Sequence, residues 1–334
     1  MLYGAIIKAR NALYEKGLLK SFSLGVSTIS IGNITVGGTG KTPMVAFVAE
    51  ILAEEGKKVC ILTRGYGREN AKQRVLVSDG EQILAEAKKA GDEPFELAQK
   101  LLGKAVVVAD ANRVAAGNWA RGKFGITVFV LDDAFQHRQA KRDLDIVLLD
   151  ATNPFGNGKL LPFGILREPL ENLKRAHAIV ITRANLVADL DNLKSQISKI
   201  TPNCPIFVSE NKITNLTKLK EFHTKTQRTK DKGQRTKDKA LAFCGLGNPN
   251  NFFEQLRRED FTLMATETFP DHHFYTPKDI AKIENTAKTN DAQILLTTAK
   301  DAVKLKHLKF NLLCYVVENG LTLDDESAFI NLIS

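Results

Sequence analysis

Residues 35–42 read Thr-Val-Gly-Gly-Thr-Gly-Lys-Thr and decide the fold of this 334-residue chain. They follow an apolar run at residues 28–34 and precede a helix-like stretch at residues 43–55. A strand, a glycine-rich turn and a helix in this order present backbone N–H groups to phosphate, while a lysine reaches the outer phosphates and a threonine hydroxyl suits Mg²⁺. We call residues 35–42 the phosphate loop and expect it to bind a nucleoside triphosphate. Thr35 stands where such loops usually begin with glycine, so an ordinary glycine-rich turn is the alternative.

Short apolar runs alternate with helical stretches beyond this loop. The runs lie at residues 59–63, 75–77, 105–109, 126–131, 146–149 and 178–182. Such alternation is typical of a parallel sheet that is covered by helices on both faces. The sequence therefore predicts an α/β fold, with a P-loop NTPase-like parallel-sheet domain followed by a second, smaller α/β domain.

The second domain is expected because the pattern restarts after a charged repeat. Strand-like runs at residues 240–244, 294–298 and 312–317 alternate with helix-like stretches at residues 251–258 and 277–289. The predicted organisation has four parts. These are an amphipathic membrane-contact helix (1–27), the phosphate-loop domain (28–215), a linker with the repeat insertion (216–239) and a C-terminal α/β domain (240–334).

The net charge of +9 is concentrated in one segment. Residues 224–239 contain seven basic and two acidic residues, and Gln-Arg-Thr-Lys-Asp-Lys occurs there twice. So short a charged repeat cannot bury a core, which predicts a solvated loop. It is either a tolerated insertion or a basic anchor for anionic lipid. The remaining charge is too small to indicate a nucleic-acid partner.

The chain shows no apolar stretch of about 18 residues and no signal peptide, so we expect it on the cytosolic side of a membrane. Its four cysteines form no Cys-x-x-Cys pair and are expected to be buried, reduced thiols. Residues 2–20 place an apolar stripe on one helical face. The stripe consists of Leu2, Tyr3, Ile6, Ile7, Leu13, Tyr14 and Leu18. An interfacial helix and a helix docked on the protein's own core explain this stripe equally well.

Two adjacent acids, Asp132 and Asp133, end the apolar run at residues 128–131. Adjacent carboxylates at a sheet edge repel each other unless a cation is present, so we expect at least one to contact Mg²⁺. Capping of the next turn is the alternative. Gln136 and His137 follow on the same rim and could face a polar substrate.

Further candidates lie in turns. Asp92 and Glu93 stand between two helical stretches, where a carboxylate could act as the general base of phosphoryl transfer or simply begin a helix. Asp271-His272-His273 lies in the second domain, and an imidazole from there could meet Asp92 only across an interdomain cleft. Arginines in three other turns, with Tyr66 beside one of them, suggest a second phosphorylated ligand. They are Arg64, Arg113 and Arg167.

Six ordered motifs together resemble the tetraacyldisaccharide 4′-kinase (lipid A 4′-kinase) family. They are Asn33-Ile-Thr-Val-Gly-Gly-Thr-Gly-Lys-Thr-Pro, Thr63-Arg-Gly-Tyr-Gly, Gly91-Asp-Glu-Pro, Asp132-Asp-Ala-Phe-Gln-His-Arg, Leu160-Leu-Pro-Phe-Gly-Ile-Leu-Arg-Glu-Pro and Phe269-Pro-Asp-His. The resemblance implies transfer of the ATP γ-phosphate to the 4′-hydroxyl of a lipid A disaccharide 1-phosphate. It also implies a peripheral enzyme on the cytoplasmic face of the inner membrane, and no obligate protein partner is inferred.

The resemblance also implies residue roles. It makes Asp92 the base, assisted by His272, with Lys41 on the transferring phosphate. It assigns ATP to Thr35, Val36, Gly37, Gly38, Thr39, Gly40, Lys41 and Thr42, and Mg²⁺ to Thr42, Asp132 and Asp133. It places Tyr66, Glu93, Arg113, Gln136, His137, Arg167 and Glu168 against the disaccharide or the phosphate. The family's Thr-Glu-Lys-Asp reads Thr-Ala-Lys-Asp at residues 298–301 here, and the repeat is foreign to the family pattern.

Two other classes of function are weighed against a kinase. Partitioning ATPases share the Gly-Gly-x-Gly-Lys-Thr loop but resemble each other in a signature lysine where this chain has Val36. A nucleotide-dependent dimer without an acceptor would indicate that class. A catalytically dead kinase fold that binds lipid is disfavoured because every expected catalytic position holds a competent residue.

Overall fold

The computed structural model describes residues 2–224, 237–246, 249–270 and 273–334. The chain divides into two compact units. The first unit comprises Met1–Glu210 and Leu321–Ser334, and the second unit comprises Asn211–Gly320.

The first unit alternates strands and helices, as the sequence predicted. Its elements up to residue 210 are α1 (Leu2–Glu15), β1 (Ser27–Asn33), α2 (Lys41–Glu54), β2 (Val59–Thr63), β3 (Val75–Ser78), α3 (Ala87–Ala90), α4 (Asp92–Lys100), β4 (Ala105–Ala109), α5 (Arg113–Phe124), β5 (Val128–Asp132), β6 (Leu144–Asp150), β7 (Ala178–Thr182), α6 (Leu190–Ile200) and the start of β8 (Ile206–Lys218). Two 3-10 helices lie at Leu170–Arg175 and Ala184–Leu186.

The strands of the first unit form a sheet in the order β8-β7-β6-β1-β5-β2-β4-β3. Every pairing between neighbours in this order is parallel except that of β3 with β4. Strands β2, β4, β5 and β7 are buried at every position because helices cover both faces of the sheet. The predicted P-loop NTPase-like α/β fold is confirmed. The phosphate loop leaves the carboxyl end of β1, and the two acids end its neighbour β5, where Asp132 pairs with Ile31.

The second unit contains a smaller parallel sheet in the order β10-β9-β11-β12. The remaining elements of the chain are α7 (Leu219–Thr224), β9 (Ala240–Cys244), α8 (Pro249–Arg258), β10 (Leu263–Thr268), α9 (Pro277–Thr289), β11 (Ile294–Thr298), α10 (Ala299–Ala302), a 3-10 helix at Val303–Leu305, β12 (Leu313–Leu323) and α11 (Glu326–Ile333). Strand β8 begins in the first unit and ends in the second, whereas β12 begins in the second unit and ends in the first.

The unit boundaries differ from those expected. The last 14 residues, predicted to close a C-terminal domain at 240–334, belong to the first unit. The cause is aromatic packing, because the Phe329 ring lies 6.2 Å from that of Phe47 and 5.1 Å from that of Phe207. Residues 211–224, expected to span the end of one domain and a linker, form strand and helix in the second unit. Most of the charged repeat, residues 225–236, lies outside the described residues.

Candidate active site

The phosphate loop adopts a shape that only glycine permits at two positions. Gly37 and Gly40 have φ angles of 107° and 80°, in the left-handed region that side chains disfavour. Gly40 is the N-cap of α2, so the loop ends at the N-terminus of a 14-residue helix that begins with Lys41. Val36, Gly37 and Gly38 are exposed. An accessible loop at a helix N-terminus is suited to binding a phosphate chain.

Buried polar contacts hold the loop in place. The Asn33 amide Nδ2 donates to Thr39 Oγ1 at 2.9 Å, and Thr182 Oγ1 donates to the Thr39 carbonyl at 3.2 Å. Val36 N donates to the Ile165 carbonyl at 2.8 Å. Strand β7 and the segment before Arg167 therefore position the loop, although both are far from it in sequence.

Asp133 gathers two cations beside the loop. Its carboxylate accepts from both terminal nitrogens of Arg167, at 2.7 and 3.1 Å, and lies 3.6 Å from Lys41 Nζ. Burial would raise the pKa of this carboxyl, but the Arg167 hydrogen bonds and the neighbouring positive charges hold the pKa below its ordinary value. Arg167 also donates to Asn33 Oδ1 at 3.0 Å. We call Lys41, Asp133 and Arg167 the cation cluster.

Asp132 has a different environment although it is the adjacent residue. Its side chain is buried, and its Oδ2 accepts from the Thr63 hydroxyl at 2.9 Å. Arg113 donates to the Asp132 backbone carbonyl at 2.8 Å, and within the described part of the chain the Asp132 carboxylate has no ion pair. Burial raises the pKa of the Asp132 carboxyl to about 6. The neighbouring Arg113 guanidinium and the Thr63 hydrogen bond lower this pKa, but burial has the larger effect.

The cation cluster opens into a cavity of about 580 Å³. The cavity is lined by Thr35, Val36, Gly37, Lys41, Tyr66, Gly67, Asp92, Glu93, Asp133 and Arg167. Asp92 and Glu93 reach it from the first turn of α4, where a helix N-terminus favours carboxylates. Gly91 makes this approach possible, since a Cβ there would lie 2.7 Å from the Tyr66 carbonyl. The structure therefore brings together the loop lysine, the carboxylates of Asp92, Glu93 and Asp133, and an exposed tyrosine.

Tyr66 lines this cavity and is accessible to solvent. Its side chain is 53% exposed, and the Arg64 guanidinium lies 5.1 Å from the ring centre. The same guanidinium donates to the Tyr66 hydroxyl at 3.1 Å. An exposed aromatic face with a fixed edge is suited to packing against a sugar ring.

Four of the seven residues expected to face the disaccharide or the transferring phosphate do not line the cavity. Arg113 is buried against Asp132, and Gln136 donates through Nε2 to the Asn33 carbonyl at 2.8 Å. The His137 ring is largely withdrawn from solvent, and burial together with the surrounding arginines lowers its pKa to about 3. Glu168 is buried and accepts from Asn11, Asn172 and Arg175.

The geometry of Glu168 has a structural explanation. Asn11 belongs to α1, whereas Asn172 and Arg175 belong to the 3-10 helix that follows Glu168. The carboxylate therefore joins α1 to the domain beneath it. The expected contact of Glu168 with a ligand is replaced by this anchoring role, which requires long-range packing that the sequence pattern does not reveal.

The expected second-domain histidine is His272, and it lies outside the described residues together with Asp271. The described His273 stacks on Phe269 with ring centres 4.9 Å apart, and its Nε2 lies 3.2 Å from Asp279 Oδ2. No group of three or more His, Cys, Asp or Glu side chains within the described ranges is arranged to hold a metal by itself.

Sequence reasoning did not single out Asn33, Thr63 and Thr182 as site residues. Asn33 contacts both Thr39 and Arg167, while Thr63 is the hydrogen-bond donor to Asp132. A polar residue that ends an apolar strand just before a phosphate loop is a usable signal, and Asn33 and Thr63 both end strands. Nothing local to Thr182 predicts its contact with the loop.

Comparisons with known proteins agree on one family. The family model for tetraacyldisaccharide-1-P 4′-kinase (LpxK) matches residues 1–334. A tetraacyldisaccharide 4′-kinase from Halothermothrix orenii is 38% identical over 329 residues, covering 95% of this chain and 85% of the relative. One from Geobacter metallireducens is 39% identical over 303 residues, covering 91% and 86%. A crystal structure of LpxK from Aquifex aeolicus in complex with ATP is 33% identical, with a TM-score of 0.71 over 99% of this chain and 95% of that chain.

Proposed function

The chain belongs to the tetraacyldisaccharide-1-P 4′-kinase family, and from this premise we propose that the cavity beside the phosphate loop is its catalytic site. The chain is a kinase of lipid A biosynthesis that uses ATP and phosphorylates the 4′-hydroxyl of a tetraacyldisaccharide 1-phosphate. The observation that carries the proposal is that Lys41, Asp133 and Asp92 line one cavity. The partitioning-ATPase alternative does not agree with this family membership.

The cation cluster prepares the phosphate side of the site. Lys41 and Arg167 are both held at Asp133, so two positive charges lie beside the loop before the ligand arrives. Preorganised charges of this kind stabilise the transferring phosphoryl group without a cost of reorientation during the reaction. Lys41 faces the γ-phosphate, and the loop N–H groups hold the phosphate chain.

Asp92 supplies the base on the acceptor side. It is exposed at the start of α4 and shares the cavity with Lys41. A carboxylate there accepts the proton of the 4′-hydroxyl as that oxygen attacks phosphorus in line with the leaving oxygen. Glu93 and Tyr66 line the same side and position the disaccharide. The role of His272 as an assistant to Asp92 is implied by the resemblance to the family alone.

The oxygen donors at the end of β5 fit Mg²⁺. The Asp132 carboxylate is buried without an ion pair among the residues described, and the Thr42 hydroxyl lies in the first turn of α2. A hard divalent cation prefers such oxygen ligands and supplies the missing positive charge. Because Arg167 already binds both oxygens of Asp133, we assign direct contact to Thr42 and Asp132, and the ordering of the cations to Asp133. An ion held there would supply positive charge to the phosphate oxygens.

Helix α1 explains both alternatives that its sequence left open. One face docks on the first unit: Tyr3 Oη donates to the Arg167 carbonyl at 3.0 Å, and Arg10 donates to the Gln136 carbonyl at 3.0 Å. Other positions of the helix remain exposed: Ile6 is 54% and Leu13 39% accessible, and Lys8 and Lys16 are exposed as well. Among the described residues, no helix has the length and apolar character that a membrane span requires.

The exposed face of α1 lies against the cytoplasmic surface of the inner membrane in our proposal, so the enzyme is peripheral. Apolar side chains next to lysines suit the boundary between acyl chains and anionic head groups. A lipid substrate that stays in the bilayer requires such a contact. The docked face carries that contact to Arg167, whose guanidinium lies in the catalytic cavity.

A transfer assay tests the base. Asp92→Asn is expected to reduce phosphorylation of the disaccharide 1-phosphate by radiolabelled ATP in detergent micelles by about 10²-fold or more. Glu96→Gln is the matched control, because Glu96 lies on the same helix, is exposed and does not line the cavity. Full activity of Asp92→Asn would remove Asp92 from its role.

A further inference from the structure

A short turn at residues 159–166 presents an aromatic side chain to solvent. The Phe163 ring is 69% exposed, and Pro162 and Lys159 beside it are exposed as well. A lone exposed aromatic residue is common on protein surfaces. Phe163, however, belongs to a turn whose backbone is held by hydrogen bonds and which contacts α1. We call residues 159–166 the Phe163 turn.

Hydrogen bonds make the turn rigid. Phe163 N and Gly164 N both donate to the Leu160 carbonyl, at 3.0 and 3.1 Å, and Asn157 Nδ2 donates to the Phe163 carbonyl at 2.9 Å. A Cβ on Gly164 would lie 2.2 Å from the Lys159 carbonyl, so only glycine fits there. Because the backbone that carries the Phe163 ring is already ordered, entry of the ring into an apolar medium costs little further backbone entropy.

The turn lies next to the first turn of α1. Leu160 packs on the helix at Gly4, where an added Cβ would be 2.8 Å from Leu160 Cδ1. Just beyond the turn, the Arg167 carbonyl accepts the Tyr3 hydroxyl at 3.0 Å. The Phe163 turn therefore lies against the N-terminal part of α1, which also carries the exposed Ile6. Lys159 adds a positive charge that complements anionic head groups.

The same turn is bonded to the phosphate loop. Ile165 O accepts from Val36 N at 2.8 Å, and Arg167 N donates to the Ile34 carbonyl at 2.7 Å. Leu166 forms an antiparallel bridge with Thr35. Backbone hydrogen bonds therefore join the Phe163 turn to the phosphate loop.

We propose that the Phe163 turn is a second bilayer contact, which inserts the Phe163 ring at the boundary between head groups and acyl chains while Lys159 lies among anionic head groups. This inference rests on the proposed membrane contact of α1. Two contact points, one on α1 and one on the turn, fix the orientation of the first unit on the membrane. A lipid that remains in the bilayer then presents its sugar at the height of the cavity.

Tryptophan fluorescence tests the contact, because Trp119 is the only tryptophan in the chain. In a Trp119→Phe background, Phe163→Trp is expected to shift its emission to shorter wavelength on vesicles of phosphatidylcholine and phosphatidylglycerol. Its emission is also expected to be quenched by brominated acyl chains in those vesicles. Leu84→Trp in the same background is the matched control. Leu84 is 50% exposed and bonds to the edge strand β3, away from α1. No quenching is expected there.

Vesicle binding by sedimentation provides the second readout. Phe163→Ala is expected to weaken binding about tenfold, the effect of losing a partly buried aromatic side chain, and Leu84→Ala to change it less than about twofold. Unchanged thermal midpoints show that both variants fold.

Three results would overturn the inference. If the unsubstituted protein binds vesicles but the emission of the Phe163→Trp variant is not quenched, α1 is the contact and the turn is not. If quenching requires the disaccharide lipid, the ring contacts the acyl chains of the substrate and not the bilayer. If the unsubstituted protein does not bind vesicles, the proposed membrane contact is wrong for α1 and the turn alike, while transfer in detergent micelles would still support the proposed kinase site.

Discussion

The two acidic residues at the end of β5 show how neighbouring positions acquire different chemistry. Asp133 lies among the cations Lys41 and Arg167, and its pKa is lowered. Asp132 is buried without an ion pair among the described residues, and its pKa is raised to about 6. His137, four residues on from Asp133, also has a shifted pKa, because burial and the surrounding arginines keep its ring neutral. The comparison shows one carboxylate that orders the protein's own cations and a second, buried and without an ion pair among the described residues, that suits a metal ion.

Removing Lys41 should disturb the cation cluster more severely than any other change. Lys41→Ala should lower kcat about 10³-fold, because the preorganised positive charge at the transferring phosphate is lost. Radiolabelled phosphate transfer measures the effect. Lys57→Ala, an exposed lysine beyond α2, is the control and should retain activity. A Lys41→Ala enzyme within about tenfold of the unsubstituted one would place the essential charge elsewhere.

A smaller effect is expected from weakening the paired hydrogen bonds between Arg167 and Asp133. Arg167→Lys keeps the charge but cannot donate two parallel hydrogen bonds, so kcat should fall about tenfold. Arg183→Lys is the control, since Arg183 pairs with Asp150 and does not line the cavity. Equal activities of the two variants would mean that charge alone, without the bidentate geometry, is sufficient.

The buried Asp132 carboxyl should affect the free energy of unfolding. At pH 8 without Mg²⁺, Asp132→Asn should raise the free energy of unfolding by about 2 kcal/mol, because a buried, unpaired negative charge is removed. The native Asp132 carboxyl, with its pKa raised to about 6, takes up a proton before the unfolded chain does as the pH falls. The destabilisation is therefore present above pH 6 and disappears toward pH 4. Urea unfolding at both pH values checks this, and a pH-independent difference would contradict it.

His137 should produce the smallest effect, with the opposite pH dependence. Its folded pKa is lowered to about 3 from the ordinary value of 6.5, so the unfolded chain binds the proton first as the pH falls. Between pH 6.5 and 5 this linkage should remove about 1.5 kcal/mol of stability, and His137→Gln should abolish that part of the loss. Unfolding curves of the two proteins at both pH values measure it. Parallel losses in the two would show that His137 does not titrate as proposed.

Local patterns predicted the parts of the site that lie next to each other in sequence. The phosphate loop follows a strand and precedes a helix, and Asp132 with Asp133 ends an apolar run, so the period of apolar residues was sufficient. The pairing of Asp133 with Arg167 could not be predicted in the same way, because 34 residues separate them. The return of Phe329 to the first unit is a contact of the same long-range kind.

Helix α1 shows why a pattern can leave two interpretations open. Its apolar stripe agrees with docking and with membrane contact, and the structure docks one face of the helix while Ile6 and Leu13 stay exposed. The docked face is recognised only through groups that are distant in sequence, such as the Glu168 carboxylate, 157 residues from Asn11, and the Gln136 carbonyl, 126 residues from Arg10. Hydrophobic periodicity identifies an amphipathic helix but not its partner.

The difference between the two carboxylates is tested most directly by the Mg²⁺ dependence of phosphate transfer in Asp132→Asn and Asp133→Asn. We predict that Asp132→Asn raises the half-saturating Mg²⁺ concentration about tenfold or more, as the loss of a metal ligand does. Asp133→Asn should lower kcat while leaving that concentration within about twofold, because it disturbs the cation cluster and not the metal. A shifted Mg²⁺ requirement in Asp133→Asn, with an unshifted one in Asp132→Asn, would contradict the assignment.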